Sequence, residues 1–388
     1  MQNLHNVYSQ EVDKLKKEKI YRSLAKLSLK NTKELSHSGR DFINFSSNDY
    51  LGLRRNAYMI QRAKSWLENF GTGLGSSRLI TGNFEELEKL EMKVASWKGA
   101  QSALIMNTGY QANVTVLSTL FDPAIFKFRP VVFSDKLIHS SMQLGCSVKD
   151  IQQIRFLHND LKSLESKLSR FQHSDQPKFI LVESVYSMSG QSAEFKKLLA
   201  LRDEYKAFLI VDEAHASGVY GPKGSGLGSG ADLTIGTFGK AMGSFGSYVA
   251  CSQEIKNYLI NRCPGFIYTT ALPPSILGSI DGALDLVPNM QEQREHIKAV
   301  STYFRSNLDR EMYSFGNANT HIIPVRFPNE KSAIECAEFL KENGLWAKAI
   351  LPPTVTKNKI CIRFSICAWH TLQDIDILVT NLKKFRSR

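Results

Sequence analysis

Through the middle of the chain, short apolar runs alternate with longer stretches of helical character, and this pattern limits the fold more than anything else in the sequence. The runs lie at residues 103–106 (Ala-Leu-Ile-Met), 131–133 (Val-Val-Phe), 179–182 (Phe-Ile-Leu-Val), 208–211 (Phe-Leu-Ile-Val) and 248–251 (Tyr-Val-Ala-Cys). Several of the intervening segments have the length of a crossover helix, which predicts a mostly parallel sheet covered on both faces. One such helix, over 85–97, places Leu87, Leu90, Val94 and Trp97 on a single face. No internal repeat and no low-complexity tract interrupts the pattern.

With 388 residues, 43% of them hydrophobic, the chain can bury a large core and a second, smaller one. The style changes near residue 285. Beyond it, helix patterns at 291–312 and 331–343, the latter stopped by Gly344, bracket Ile322-Ile323-Pro324-Val325. An apolar run at 360–366 precedes a last helix carrying Leu372, Ile375, Leu378, Val379 and Leu382. The expected division is a basic N-terminal helix with an irregular lead-in (1–45), a large domain (46–285) and a smaller α+β domain (286–388).

The first twenty residues are too charged for a signal peptide or membrane anchor, and no later stretch reaches the roughly 18 apolar residues of a spanning helix. Six cysteines without short paired spacing suggest neither a disulfide framework nor a metal site, which fits a reducing cytoplasm. The net charge of +12 is dispersed along the chain, so a solvated surface explains it better than a nucleic-acid footprint. An acidic small partner such as coenzyme A or an acyl carrier protein would also be drawn by that field. The Asp-Glu-Ala-His tetrad at 212–215 does not make the chain a helicase, because no Gly-x-x-x-x-Gly-Lys-Ser/Thr loop accompanies it and Lys240 is followed by Ala241.

The chemistry gathers at the carboxyl ends of the apolar runs, where open α/β sheets bind their ligands. Glu183-Ser184, Asp212-Glu213-Ala214-His215 and Thr237-Phe238-Gly239-Lys240 would converge on one pocket. A lysine in a Gly-rich turn, with an acid and a histidine before it, is what a covalent imine to pyridoxal phosphate (PLP) requires: the lysine supplies the amine and Asp212 can keep the ring nitrogen protonated. After the run at 103–106, Asn107-Thr108-Gly109-Tyr110 opens a helix whose free amides suit a phosphate.

Further stretches complete a pattern. Ser47-Asn48-Asp49-Tyr50-Leu51-Gly52-Leu53, the Gly-rich segment 71–82, Ser134-Asp135 through His139-Ser140, Phe156-Leu157-His158-Asn159-Asp160, Thr237 to Lys240, and Ile267-Tyr268-Thr269-Thr270 through Pro274 stand in order with the Asp-Glu-Ala-His tetrad. Together they resemble the α-oxoamine synthase family of fold-type-I PLP enzymes, from about Arg22 to about Asp376, with Pro352-Pro353-Thr354-Val355 and Arg363 extending the match. The resemblance implies a PLP-dependent transferase fold: a mostly parallel seven-stranded sheet flanked by helices, a smaller α+β domain, and a homodimer with shared active sites. The wording is nearest to the branch that joins L-alanine to a pimeloyl thioester of coenzyme A or an acyl carrier protein, releasing carbon dioxide, in biotin synthesis.

Carried over residue by residue, the resemblance makes Lys240 the imine-forming lysine and base, and Asp212 the partner of the ring nitrogen. His215 would bond the ring 3-oxygen with Ser187 beside it, and His139 would stack on the ring face. Thr237, the amides of Gly109 and Tyr110 and, from a second subunit, Thr270 would hold the phosphate. Arg363 would grip the amino-acid carboxylate, with Asn48 and Thr354 at the pocket edge and Arg22 facing the distal carboxylate of the acyl chain. His158 reads as a structural histidine. No metal is expected. The pattern departs at Leu351, where the family commonly has arginine, at Leu87 for histidine, and at Ser189 and Gln191 for aspartates. A sister enzyme joining another amino acid to another acyl thioester is the competing reading.

Overall fold

The computed structural model describes residues 3–18, 20–149 and 151–387. Its centre is a seven-stranded sheet. The strands are β1 (Ser102–Met106), β2 (Val131–Asp135), β3 (Gln152–Phe156), β4 (Lys178–Glu183), β5 (Phe208–Asp212), β6 (Leu233–Thr237) and β7 (Ser247–Cys251). They lie in the order β1-β7-β6-β5-β4-β2-β3. All neighbours are parallel except β7, which runs antiparallel to both β6 and β1. The expected mostly parallel sheet is therefore present. Strands β1, β2, β4 and β7 are buried along their whole length, which is why they read as continuous apolar runs rather than alternating ones.

Register brings the strand ends level. Glu183 of β4 pairs with Asp212 of β5, and Asp212 with Ile235 of β6, so their carboxyl termini form one rim. Helices Ser140–Ser147, Leu161–Leu168 and Phe195–Glu204 make the successive crossovers from β2 to β5. The link from β5 to β6 has no such helix. It is a glycine-bearing loop folded onto Glu213, whose buried carboxylate receives the Leu227 and Gly228 N–H groups at 2.6 Å each and the ammonium of buried Lys98. Gly226, at φ +99°, lies so close to that carboxylate that any Cβ would collide with it.

The helix expected over 85–97 spans Glu85–Lys98 and buries Leu87, Leu90 and Val94. Trp97 is only half-buried and donates its indole N–H to the Lys223 carbonyl at 3.1 Å. A second core gathers Phe45, Phe304, Ile323, Ile362, Phe364, Ile375, Leu378 and Leu382 between the C-terminal helices and a three-stranded sheet of Ile322–Arg326, Cys361–Ser365 and Ala349–Ile350.

Two details differ from expectation. The helix predicted to run to 312 stops at Asn307, since the Asp309 carboxylate takes the N–H groups of Glu311 and Met312 and so offers the backbone a turn instead. The lead-in is not wholly irregular: Glu34–His37 and Arg40–Asn44 form a hairpin whose second strand runs parallel to Leu345–Trp346. Among the described residues no helix is long and apolar enough to cross a membrane, and no cluster of side chains suits a metal ion.

Candidate active site

At the rim lies a cavity of about 230 Å³ lined by Gly109, Tyr110, Asn113, His139, Ser141, Glu183, Asp212, Ala214, His215, Ile235, Gly236, Thr237 and Lys240. Of the residues singled out in the sequence, Lys240, Asp212, His215, His139, Thr237, Gly109, Tyr110 and Glu183 meet there.

Each is placed by local structure. Asp212 ends β5, where its Oδ1 accepts the Ala214 N–H at 2.8 Å and its Oδ2 accepts Asn113 Nδ2 at 2.7 Å. Asn113 sits one turn into the helix Gly109–Leu120, which Thr108 caps by accepting the Gln111 N–H at 3.1 Å. The same amide group donates to Ser141 Oγ at 2.9 Å, and Ser141 Oγ stands 2.6 Å from His139 Nδ1. His139 Nδ1 also accepts the Ser141 N–H at 3.3 Å, so Nδ1 is the acceptor, the Ser141 hydroxyl donates to it, and Nε2 carries the ring proton. Asp212 and His139 are thus tied together by two side chains that the sequence did not announce.

Lys240 faces them from the turn after β6. Its Nζ is 2.8 Å from His215 Nε2. Burial holds the amine down to about 8, although the Asp212 carboxylate pulls the other way. Burial also keeps His215 neutral, pushing it well below the usual histidine range, with Lys240 and Arg363 adding to the effect. Glu183, behind the rim, is shifted far upward by burial and by neighbouring Asp212. Asp212 thus shares the pocket with an amine that is in part uncharged at neutral pH.

A second group adjoins the cavity. Arg363, on the strand Cys361–Ser365, is buried and donates through Nε to the Ser187 carbonyl at 2.7 Å and through Nη1 and Nη2 to Asn48 Oδ1 at 3.2 and 3.3 Å. Tyr50 joins the two groups: its hydroxyl lies 2.6 Å from His215 Nδ1 and 3.0 Å from Asn48 Oδ1. Tyr50 stood inside a quoted motif, but nothing in its spacing marked it as the link.

The remaining candidates lie elsewhere. Arg22 donates to Thr354 Oγ1 at 3.0 Å on an exposed surface outside the cavity lining. Thr270 is exposed and offers its carbonyl to Asn107 Nδ2 at 2.9 Å. His158 spans Asp135 Oδ1 at 3.0 Å and Ser189 Oγ at 2.9 Å, the satisfied arrangement expected of a structural histidine.

The donor set suits PLP. An uncharged amine can condense with an aldehyde, and an acid faces it across a cavity of small-molecule size. The free amides of a helix start open onto the same space. If Lys240 is the reacting amine, capture of PLP by the stripped protein should accelerate about tenfold per pH unit below about 8 and level off above it, since only the neutral amine reacts. Growth of the visible band across a pH series measures this.

Comparison with known proteins agrees. The family model for aminotransferase class I and II matches residues 40–382. An 8-amino-7-oxononanoate synthase of Gluconacetobacter diazotrophicus is 40% identical over 383 residues, covering 96% of this chain and 95% of that one. A Paramagnetospirillum magneticum protein provisionally given the same name is 43% identical over 88% of each chain. Among solved structures, Sphingomonas wittichii serine palmitoyltransferase superposes with a TM-score of 0.88 at 25% identity, covering 98% and 96%. The Francisella tularensis 8-amino-7-oxononanoate synthase does so with a TM-score of 0.76 at 26% identity, covering 89% and 98%. The S. paucimobilis palmitoyltransferase, at a TM-score of 0.88 and 25% identity over 97% and 96% of the two chains, was solved with PLP–myriocin bound. With a family model that spans the sheet, the cavity and the C-terminal core alike, the chain belongs to the aminotransferase class I and II family of PLP-dependent enzymes, in its α-oxoamine synthase branch.

Proposed function

We propose that this enzyme condenses L-alanine with a pimeloyl thioester, releasing carbon dioxide and the free thiol, to make 8-amino-7-oxononanoate for biotin synthesis. The observation that carries the reading is Lys240, its amine held at about 8, in one cavity with Asp212 and joined through His215 and Tyr50 to the buried guanidinium of Arg363. PLP, when bound, supplies a conjugated electron sink for the amino-acid Cα. Lys240 tethers it and, once freed by the incoming amine, takes the Cα proton of alanine. Asp212 balances the positive charge of the ring nitrogen. His139 covers one face of the cavity, and its Nε2–H is available to orient the thioester carbonyl. The helix start at Gly109 and Tyr110, with Thr237, receives the phosphate, and His215 and Ser187 flank the ring oxygen.

Arg363 takes the alanine carboxylate, a task for which a planar two-pronged donor is suited. Replacing it by leucine should raise the KM for alanine roughly ten- to a hundredfold, the worth of a charge-assisted hydrogen bond, with a smaller effect on the KM for the thioester. Steady-state kinetics with each substrate varied in turn checks the split. Asn48, bonded to Arg363, would border this end of the site, and the exposed pair Arg22 and Thr354, outside the cavity lining, would have to be approached by the far end of a long acyl chain for Arg22 to meet its distal carboxylate. We assign the working unit as a cytoplasmic homodimer in which Thr270 of a second copy completes the phosphate site. Exposed Ile80 (76%) and Tyr268 (84%) are apolar surface of the kind an interface covers.

Leu351, where an arginine is common in the family, leaves a sister reaction as the second reading. The deciding assay mixes the purified enzyme with pimeloyl-coenzyme A and L-alanine, glycine or L-serine, and follows carbon dioxide and amino-ketone by mass spectrometry. Product from alanine alone supports the proposal. Preference for another amino acid, or for palmitoyl- over pimeloyl-coenzyme A, replaces it with the sister reaction.

A further inference from the structure

Around Tyr50 two acceptors compete for one hydroxyl hydrogen. The Tyr50 hydroxyl is fully buried and carries one hydrogen, yet two acceptors are within reach: Asn48 Oδ1 at 3.0 Å and His215 Nδ1 at 2.6 Å. Arg363 Nη2 donates to the same hydroxyl at 3.4 Å, and both Nη1 and Nη2 donate to Asn48 Oδ1. On the far side, His215 Nε2 meets Lys240 Nζ at 2.8 Å.

A neutral imidazole has one N–H, so the choice made by Tyr50 sets which ring nitrogen bears it. When Tyr50 donates to Nδ1, the His215 proton sits on Nε2 and points at the lysine nitrogen or the ring oxygen beside it. When Tyr50 donates to Asn48, His215 must carry its proton on Nδ1, and Nε2 offers a lone pair to a hydrogen on the lysine nitrogen. The groups facing this pair are Arg363, His321, Tyr220, Cys367, Lys240 and His139, and burial keeps both His321 and His139 below the usual histidine range. His321, packed edge-on to Tyr50 at 4.1 Å between ring centroids, bonds Tyr220 through Nδ1 and does not compete for the hydroxyl.

We propose that Tyr50 is a positioning residue that couples the carboxylate clamp at Arg363 to the protonation of Lys240. This rests on the reading of the pocket given above. With the clamp empty, two guanidinium N–H groups already occupy Asn48 Oδ1, and the tyrosine hydrogen turns to His215. A carboxylate arriving at Arg363 draws those N–H groups away, Asn48 becomes the better acceptor, and Tyr50 turns to it. The Nε2 hydrogen of His215 then passes to the lysine nitrogen while a proton taken up from solvent occupies Nδ1, so His215 presents a lone pair to Lys240 and the proton-bearing form of the lysine nitrogen is favoured. Arrival of the amino acid thus prepares the lysine to hold the proton it must next accept.

The test uses the PLP-loaded enzyme and propionate, which has the carboxylate and carbon skeleton of alanine but no amine and so cannot displace Lys240. The pH midpoint of the visible band of the lysine-bound cofactor is measured with and without saturating propionate in wild type, Tyr50→Phe and Asn48→Leu. Propionate is expected to raise the wild-type midpoint. The direct field of the carboxylate acts in every variant, so the relay is read as the extra shift: Y50F and N48L should each form the band but respond less than wild type. Equal shifts in all three, or none in wild type, overturn the coupling while leaving the cofactor reading intact. Absence of any visible band in wild type overturns the cofactor reading itself. Because N48L leaves the Tyr50–His215 contact in place, it keeps the test decisive if Y50F folds poorly.

Discussion

Replacing Lys240 by alanine should leave a folded protein that binds PLP without a covalent link, and that turns over at least about 10⁴-fold more slowly than wild type. The expectation follows from geometry. Lys240 supplies the only amine among the cavity-lining residues, and its nearest polar neighbour, His215 Nε2 at 2.8 Å, belongs to an imidazole that burial keeps neutral. No other side chain there can take over both the tether and the proton. Borohydride reduction followed by peptide mapping should find a modified residue at position 240 in wild type and none in the variant. A reduced adduct on another lysine, or turnover within tenfold of wild type, would remove Lys240 from the mechanism.

Asp212→Asn is the second large effect. Asparagine has the size of aspartate and keeps an oxygen for the Ala214 N–H, so the turn after β5 should survive. It lacks the charge. Glu183 is a poor substitute, because burial, the larger cause of its raised carboxyl, persists when the Asp212 charge is gone. With that charge gone, the ring nitrogen loses its proton and the pocket loses most of its capacity to stabilise a carbanion. A fall in kcat of about a thousandfold is expected, equivalent to about 4 kcal/mol of transition-state stabilisation. Cofactor retention should change little, while the thermal midpoint should fall because the new amide and Asn113 Nδ2 are both donors across a buried contact; near-native kcat in the variant would show that Asp212 does not serve the ring.

The sequence was most legible where burial imposes a pattern. Strands β1, β2, β4, β5 and β7 appeared as apolar runs because they lie deep in the sheet. Strand β3 escaped notice because it is the outer strand, with Gln152 and Arg155 exposed. Strand β6 (Leu-Thr-Ile-Gly-Thr) is broken by threonine and glycine, and only its end at Thr237 drew attention. The cavity residues could be gathered from strand ends, since level register follows from parallel pairing. Tyr50, Asn113 and Ser141 could not. Tyr50 acquires its part by meeting His215, 165 residues away, and Asn113 by meeting Asp212, 99 residues away. No local spacing encodes such encounters. The overextended helix at 291–312 shows the reverse error: apolar periodicity continued past Asn307, while a single aspartate had already turned the backbone.

The position of β7 bears on how the protein is made. Among the described residues the one strand that pairs with β1 is β7, Met106 opposite Ser247 and Ser102 opposite Cys251. During translation β1 and the helix start at Gly109 therefore emerge long before the strand that will hold them. A nascent chain paused just after Lys240 already owns its reactive amine but has no edge on which to hang the opposite wall of the pocket. Such distant pairing is slow to form and leaves an apolar strand open to other chains in the meantime. Cofactor capture is therefore expected only once residue 251 has emerged, and chains truncated before it are expected to aggregate rather than to develop the visible band of a lysine-bound cofactor.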